Sequence, residues 1–252
     1  MGFYERRVLP RLLDCVCGMK AVAEMRAKIV PLASGVVLEI GMGSGLNLPV
    51  YDPRRVRRVI GLDPAGPMLA MARARAAAVE FPVEFLELGG ERIPLPDAAV
   101  DTVLSTYTLC TIPDPVAALG EMRRALKPGG RLLFCEHGLA PERGVARWQR
   151  RLDRPWGAIA GGCHLDRDMR AIIAAGGFAF ERLETGYEPG TPRWMGHLFH
   201  GSALRDPCAG LSAANDDVAA GNARQAPESA PSVDAWSKLT CSDGIASDSV
   251  GT

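Results

Sequence analysis

One stretch early in the chain constrains the fold more than any other. Residues 36–40, which are apolar except for Glu39, lead directly into three glycines at alternate positions, Gly41, Gly43 and Gly45. A continuous apolar run is typical of a parallel strand that is buried on both faces. Glycines after such a strand let the backbone turn sharply and approach a ligand that a Cβ would keep away. The stretch therefore predicts an α/β fold with a ligand-binding turn after a buried strand.

Two carboxylates beside this turn narrow the choice of ligand. Residues 59–63 form the next apolar run, which ends in Asp63. At that place a carboxylate can accept hydrogen bonds from both hydroxyls of a ribose. Glu39 lies two residues before the first glycine and suits a ligand with a cationic amino group. Together these features favour S-adenosylmethionine.

A nicotinamide-binding dehydrogenase is the nearest alternative. It shares the strand, the turn and the acidic residue, but its glycines follow the spacing G-x-G-x-x-G. Here position 46 is Leu46, and Pro49 interrupts the following helix early. The start of that helix is still expected to offer free N–H groups to anionic atoms of the ligand.

Apolar runs alternate with stretches of helical periodicity along the chain. Strands are predicted at 36–40, 59–63, 83–88, 100–105, 131–136, 178–183 and 195–203. Helices are predicted at 6–25, at 67–78, in a segment ending at Leu126, at 145–159 with an interruption near Pro155, and at 168–175. This alternation indicates a parallel sheet with helices on both faces and ligands at the carboxyl ends of the strands.

Five of these segments match the successive motifs of a known family. They are the glycine turn, the strand ending at Asp63, and the segments 83–97, 100–108 and 121–136. In this order they resemble the class I S-adenosylmethionine-dependent methyltransferases with a type 11 methyltransferase domain. The resemblance implies a Rossmann-like, doubly wound, mainly parallel seven-stranded sheet and S-adenosyl-L-methionine as the cofactor.

The resemblance also implies a set of cofactor-binding residues. The glycines approach the methionine part, Glu39 orients it, Asp63 holds the ribose, and Pro64 and Met68 cover the adenine. Many relatives bind the adenine amino group with an acid where this chain has Gly89, so backbone groups of Gly90 and Glu91 are expected to replace it. The predicted set is Glu39, Gly41, Gly43, Gly45, Asn47, Asp63, Pro64, Met68, Gly90, Glu91 and Thr106.

Five further segments carry a narrower resemblance. They are 45–51, 107–110, 135–137, 153–156 and 161–167. These segments resemble the methyltransferase-like thiol S-methyltransferases of animals and their bacterial relatives, and the likeness covers about residues 3 to 204. It implies methylation of small alkyl thiols or hydrogen sulfide. Animal members carry an N-terminal membrane anchor, where this chain has only a basic amphipathic helix.

A thiol acceptor needs little help from a base. With an ordinary pKa of about 8.5, a thiol is already partly ionised at neutral pH. His137, at the end of a strand, and His164, in a glycine-rich turn, are the candidate catalytic bases. Tyr107, Asp153 and Trp156 are expected to shape the acceptor pocket.

Two other functions remain open. An enzyme that rests on anionic lipid and methylates a phospholipid amine or a quinone precursor would suit the basic N-terminal helix and a run of five arginines, Arg143, Arg147, Arg150, Arg151 and Arg154. A non-catalytic module that binds the cofactor for regulation is the other. The expected partners are therefore a small-molecule acceptor and a peripheral membrane contact. No basic stripe interleaved with aromatic residues is present, so no nucleic-acid partner is expected.

Composition divides the 252 residues into three parts. An N-terminal amphipathic cap (1–34) precedes the catalytic domain (35–204), and a low-complexity tail (205–252) follows. From residue 206 onward the chain has seven acids and two bases, and it is expected to be disordered. Without a secretory signal or an apolar span, a cytoplasmic location is predicted, with the enzyme possible at the inner membrane face.

Cysteine and histidine spacing argues against a metal site. Seven cysteines without paired spacing fit reduced thiols better than disulfides. Cys15 and Cys17 lack the usual two-residue spacer of zinc sites, and His197 and His200 are expected to point to opposite faces of a strand. The sequence therefore predicts no metal.

Overall fold

The computed structural model describes residues 4–205. The tail that was predicted to be disordered (205–252) lies outside this range, except for Arg205, which is the last residue of a strand. The helices are α1 Leu9–Cys17, α2 Lys20–Ile29, α3 Gly66–Ala76, α4 Pro115–Ala125, α5 Arg143–Ile159 and α6 Met169–Ala175. The strands are β1 Gly35–Ile40, β2 Val56–Leu62, β3 Val83–Leu86, β4 Val100–Thr106, β5 Leu126–His137, β6 Phe178–Tyr187 and β7 His197–Arg205.

The seven strands form one sheet in the order β3-β2-β1-β4-β5-β7-β6. All neighbouring pairs are parallel except those of β7, which is antiparallel to both β5 and β6. The order reverses between β1 and β4, where a doubly wound sheet opens a crevice at the carboxyl ends of its strands. The Rossmann-like, mainly parallel seven-stranded fold is confirmed.

Helices cover both faces of the sheet, because side chains alternate along each strand. Val37 faces a core that includes residues of α2 and α3, and its neighbour Leu38 faces a second core that includes residues of α4 and α6. Both side chains are fully buried. This two-sided burial explains why β1 reads as a continuous apolar run.

Three predicted helical features are wrong. The helix expected at 6–25 is broken at Gly18. The Gly18 N–H donates to the Asp14 carbonyl and the Met19 N–H to the Val16 carbonyl, and Met19 then leaves helical geometry. The interruption expected near Pro155 is absent from α5, where Pro155 lies on the exposed side and the carbonyl that loses its partner can reach water. After the glycine turn the chain forms only a short 3₁₀ turn, Leu48–Val50, instead of an α-helix.

The N-terminal helices lie over the edge of the sheet where the strands end. Asp14 of α1 accepts a hydrogen bond from the Ser44 hydroxyl at 2.5 Å, and its carboxylate pairs with Arg75 of α3 at 3.0 Å. Arg75 also donates to the Ser44 carbonyl at 2.6 Å. These contacts fix α1 to the glycine turn. Within residues 4–205, no helix combines the length and the apolar character needed to cross a bilayer.

Candidate active site

The glycine turn has a backbone that only glycine fits well. Gly41, Gly43 and Gly45 have φ angles of 66°, 57° and 78°, in the left-handed region. A Cβ on Gly41 would lie 2.2 Å from the side chain of Thr108, and one on Gly45 would lie 3.0 Å from the backbone of Ala72. The turn is therefore held tightly between the segment after β4 and helix α3.

Asp63 lies directly after β2 and faces this turn. One carboxylate oxygen accepts the N–H of Gly43 at 2.9 Å, and the other accepts the N–H of Ala65 at 2.8 Å. Burial raises the pKa of Asp63, and the two backbone donors oppose that shift. Each oxygen keeps a free lone pair, so the carboxylate fits a ligand with two adjacent hydroxyl groups.

Glu39 is almost fully buried beneath the glycine turn. Its two carboxylate oxygens accept hydrogen bonds from the Asn47 amide at 2.8 Å and the Tyr51 hydroxyl at 2.7 Å. Burial raises the pKa of Glu39, and these two donors act in the opposite direction. A buried carboxylate with lone pairs left over suits a cationic ammonium group, which agrees with its predicted role.

Arg26 is a polar residue of this site that the sequence analysis missed. Its guanidinium donates to the Asn47 side-chain oxygen at 2.7 Å and to the Thr106 hydroxyl at 3.0 Å. The side chain is buried, and its Nε has no hydrogen-bond partner among residues 4–205. The positive charge of Arg26 fits the carboxylate of a bound amino acid. It could replace the N–H groups that were expected from an α-helix after the glycine turn, where the chain forms only a 3₁₀ turn. Its sequence signal was a cation four residues after Val22, on the face of α2 that also carries Met25 and Ile29.

Thr106 joins the two sides of this pocket. Its hydroxyl oxygen accepts from the Asn47 amide at 3.0 Å as well as from Arg26. The predicted cofactor-binding residues Glu39, Asp63 and Thr106 thus lie together at the carboxyl ends of β1, β2 and β4. The observed cradle of glycines and unfilled carboxylate lone pairs fits S-adenosylmethionine.

The residues predicted to contact adenine lie farther along the same edge. Pro64 is exposed, and Met68 is half-buried, with its Cε 3.4 Å from where a Cβ of Gly43 would stand. Met68 thus lies over the turn instead of in the core. Gly90 is buried against Ile40, and the Glu91 side chain approaches Gly89. Their adenine contacts remain predictions.

Comparisons with known proteins agree with this geometry. A family model described as a methyltransferase domain matches residues 38–134. Thiol S-methyltransferase TMT1B of Homo sapiens is 32% identical over 169 residues, which cover 65% of this chain and 68% of that protein. The chain belongs to the class I S-adenosylmethionine-dependent methyltransferases. Its cofactor is therefore S-adenosyl-L-methionine.

Other relatives of this methyltransferase differ in how much they share. The Rattus norvegicus TMT1B is 32% identical over 163 residues, 63% of this chain and 65% of that protein, so the chain spans about two thirds of these relatives. Demethylmenaquinone methyltransferase of Thermus thermophilus is 38% identical over 107 residues, 42% of this chain and 49% of the relative. Phosphatidylethanolamine N-methyltransferase of Cereibacter sphaeroides is 34% identical over 105 residues, which cover 41% of this chain and 51% of that protein.

Solved structures share the fold of this methyltransferase. The crystal structure of an S-adenosylmethionine-dependent methyltransferase from Thermotoga maritima superposes with a TM-score of 0.57 at 22% identity. The match covers 81% of this chain and 98% of that one.

Tyr107, which is predicted to shape the acceptor pocket, lies directly after β4. Tyr107 has a φ of 55°, which is strained for a residue with a side chain. Its hydroxyl donates to Glu188 at 3.1 Å, and its ring lies 6.4 Å from that of His137 between centroids. The ring centroid also lies 5.5 Å from the guanidinium carbon of Arg26, so Tyr107 borders both the cofactor pocket and the end of β5.

The two candidate bases have different neighbours. His164 Nδ1 lies 3.0 Å from an oxygen of Asp153, whose other oxygen accepts the N–H of Leu165 at 2.7 Å. Burial would raise the pKa of Asp153, but hydrogen bonds from His164 and Leu165 outweigh it and lower that pKa. The imidazole is 43% exposed, so its second nitrogen can meet a substrate.

His137 instead contacts two buried cysteines. Its Nε2 lies 3.1 Å from Cys163 Sγ, which is 3.8 Å from Cys110 Sγ. The indole N–H of Trp156 donates to Cys163 Sγ at 3.3 Å, and the indole packs edge-on against Trp194 at 5.5 Å. Tyr107, His137 and Trp156 therefore surround one cluster, whereas Asp153 belongs with His164.

Proposed function

We propose that this methyltransferase methylates small thiols, such as alkyl thiols or hydrogen sulfide. The supporting observation is the extent of its similarities. The thiol S-methyltransferases match over 163 and 169 residues, whereas the quinone and phospholipid enzymes match over 107 and 105 residues. The family model of the methyltransferase domain alone spans residues 38–134. The thiol enzymes share sequence well beyond that length, as enzymes with the same acceptor would.

The chain's own residues provide binding and orientation. S-adenosylmethionine supplies, when bound, an electrophilic methyl group on a sulfonium. Asp63 would hold the ribose hydroxyls, Glu39 the ammonium group and Arg26 the carboxylate. Helix α1, which Asp14 connects to Ser44 of the turn, would help to exclude water there. Such positioning in a dry pocket contributes much of the rate in an in-line displacement.

His164 is the proposed base for the acceptor thiol. Asp153 accepts the Nδ1 proton and so leaves Nε2 as the atom that takes a proton from the thiol. The replacement His164→Gln should lower kcat/KM for thiols by about 10²-fold, with cofactor affinity unchanged. His200→Gln, which alters a half-buried histidine of β7, is the control and should keep near-normal activity. Equal losses in both variants would contradict the assignment.

The deciding experiment measures S-adenosylhomocysteine release by the full-length protein. The acceptors would be small thiols, hydrogen sulfide, a demethylated quinone and phosphatidylethanolamine vesicles. Turnover on soluble thiols alone would support the proposal. Turnover only with vesicles or quinone would replace it with the lipid or quinone function, and tight cofactor binding without any turnover would favour a regulatory module.

We also propose that the enzyme is cytoplasmic and makes a peripheral contact with the membrane. Five apolar residues along the N-terminal helices are exposed: Tyr4, Val8, Leu12, Val16 and Met19. Arg7 and Arg11 flank this stripe and are also exposed. An apolar stripe beside cations suits an anionic lipid surface.

Leu12→Glu should abolish cosedimentation with phosphatidylglycerol vesicles, whereas Leu32→Glu, at an exposed leucine outside the stripe, should not abolish it. Equal binding by the wild type and both variants would contradict the membrane contact.

A further inference from the structure

Three sulfur and nitrogen ligand atoms meet inside the acceptor half of the molecule. They belong to Cys110 after β4, His137 at the end of β5, and Cys163 in the turn after α5. All three atoms lie within 4.8 Å of one another. The cysteines are buried, and the two thiols are 53 residues apart in sequence. No contact in the cofactor pocket accounts for this convergence.

We propose that Cys110, His137 and Cys163 form a Zn²⁺ site. Two thiolates on a tetrahedral zinc, each at about 2.3 Å, stand about 3.8 Å apart. The two Sγ atoms are 3.8 Å apart. A disulfide would require about 2.05 Å. The 3.1 Å between His137 Nε2 and Cys163 Sγ is shorter than the corresponding zinc edge of about 3.6 Å, so the imidazole would move outward by a few tenths of an ångström.

The surroundings of the cluster suit metal-bound thiolates. The Trp156 indole N–H donates to Cys163 Sγ at 3.3 Å, and the Thr111 hydroxyl lies 3.6 Å from Cys110 Sγ. Hydrogen bonds of this kind hold and tune metal ligands from outside the coordination shell. The backbone also fixes the parts relative to each other, because the N–H of His164 donates to the carbonyl of Cys110 at 2.9 Å.

Three protein ligands leave a fourth zinc position, as catalytic zinc sites do. Thr108, two residues before Cys110, has its hydroxyl 3.5 Å from the Gly41 carbonyl, so this segment connects the cluster to the methionine end of the cofactor pocket. The fourth position would take the sulfur of the acceptor, an assignment that rests on the proposed thiol methylation. Zinc would bind the acceptor as a thiolate, with its proton passing to His164.

Transfer of the methyl group to the zinc-bound acceptor forms one carbon–sulfur bond and breaks another. A lone pair of the zinc-bound thiolate forms the new bond to the methyl carbon. The bond between that carbon and the cofactor sulfonium breaks, and its electron pair stays on the cofactor sulfur, giving a neutral thioether. A methylated alkyl thiol is a neutral thioether, and methylated hydrogen sulfide is a neutral thiol; either product leaves because it binds zinc more weakly than a thiolate does.

The test is metal binding by the reduced, full-length protein. Zinc would be titrated in competition with a chromogenic chelator, and Co²⁺ would be added separately to look for a thiolate-to-cobalt charge-transfer band. We expect one equivalent of tight binding and the band in the wild type. Cys163→Ser and Cys110→Ser should each weaken binding at least 100-fold. Cys135→Ser, at a buried cysteine outside the cluster, and Cys15→Ser, at an exposed one, should bind like the wild type.

Several outcomes would overturn the site. These are a wild type without stoichiometric binding or without the cobalt band, an equal loss in Cys135→Ser, or a Cys110–Cys163 disulfide that persists when other thiols are reduced. The wild-type cobalt spectrum remains decisive if a cluster variant fails to fold. Metal binding without thiol turnover would leave the site standing and contradict the proposed function. Thiol turnover by the zinc-loaded protein that persists after Cys163→Ser would overturn the acceptor role of the metal.

Discussion

Three charged side chains in the cofactor pocket can each form more hydrogen bonds than they form within the protein. Asp63 and Glu39 each accept one hydrogen bond per oxygen, and Arg26 keeps a buried Nε without a partner among residues 4–205. Buried polar groups are normally paired. A pocket that holds several spare polar atoms in fixed positions is prepared for a ligand with an ammonium group, a carboxylate and two hydroxyls.

The role of Asp63 gives the first prediction. Asp63→Ala should weaken binding of S-adenosylmethionine by roughly 10- to 100-fold, since hydrogen bonds to a charged group contribute about 1.5–3 kcal/mol. Isothermal calorimetry measures the affinity. Asp97→Ala, at a carboxylate that is 80% exposed and far along the chain, should bind the cofactor normally. Unchanged affinity in Asp63→Ala with an intact fold would refute the assignment.

The sequence predicted some of these residues and missed others for a physical reason. The glycines and Asp63 follow directly from the ends of β1 and β2, where neighbouring parallel strands deliver their side chains to one edge. Arg26 comes from a helix outside this strand-turn pattern, and its role depends on how α2 packs across the sheet. Cys110, His137 and Cys163 meet only because three separate segments converge, which spacing along the chain does not show.

At the scale of secondary-structure elements, the glycine turn is limited by its neighbours. Gly45 has a φ of 78°, and a Cβ there would lie 2.9 Å from Leu48 and 3.0 Å from the Ala72 backbone. Gly129 has nearly the same φ, 75°, but a Cβ there would meet nothing within 4 Å. A comparison of alanine substitutions at Gly45 and Gly129 therefore distinguishes the cost of backbone strain from the cost of crowding against α3.

This difference gives a stability prediction. Gly45→Ala should lower the free energy of unfolding by about 2–4 kcal/mol, because strain and overpacking act together. Gly129→Ala should cost only about 1 kcal/mol, which is the strain alone. Urea unfolding followed by circular dichroism measures both. Equal losses would mean that α3 does not press against the turn.

Element boundaries show where sequence patterns end and tertiary contacts decide. The central strands β1 and β4 were predicted to within one residue, because burial on both faces leaves an apolar run. The start of β5 and the end of β6, which are more exposed, were missed by five and four residues. The predicted helix at 6–25 ignored Gly18, although the apolar period continues across it. The predicted break near Pro155 overvalued proline, because an exposed helix face can hydrate the carbonyl that proline leaves free.

For the whole molecule, the edge of the sheet opposite the active site depends on one carboxylate. Asp101 of β4 accepts hydrogen bonds from the Val36 N–H of β1 at 2.8 Å, from Arg57 of β2 at 2.7 Å and from Lys127 of β5 at 2.7 Å. A Cβ on Gly35 would come 2.4 Å from this carboxylate, so glycine is required beside it. One side chain thus ties together four neighbouring strands.

Its charge predicts how stability depends on pH. Burial would raise the pKa of Asp101, but hydrogen bonds from Lys127, Val36 and Arg57 outweigh it and lower the pKa to about 2 from 3.8. The folded state therefore binds fewer protons than the unfolded state between these values. The stabilisation is present in full above pH about 5 and is lost as pH falls toward 2. Because the carboxylate is 28% exposed, we expect about 1–2 kcal/mol after allowing for solvent screening.

Replacing this carboxylate by an amide tests whether the charge itself joins the strands. Asp101→Asn should be less stable than the wild type by about 1–2 kcal/mol at pH 7, and the gap should narrow as pH falls below 4. Urea unfolding at pH 7 and pH 3.5 measures the gap. Asp97→Asn removes a carboxylate that pairs with Arg124 at an exposed site, and it should change stability by less than about 1 kcal/mol at either pH. A gap for Asp101→Asn that stays constant with pH would mean that amide geometry, not charge, accounts for the loss.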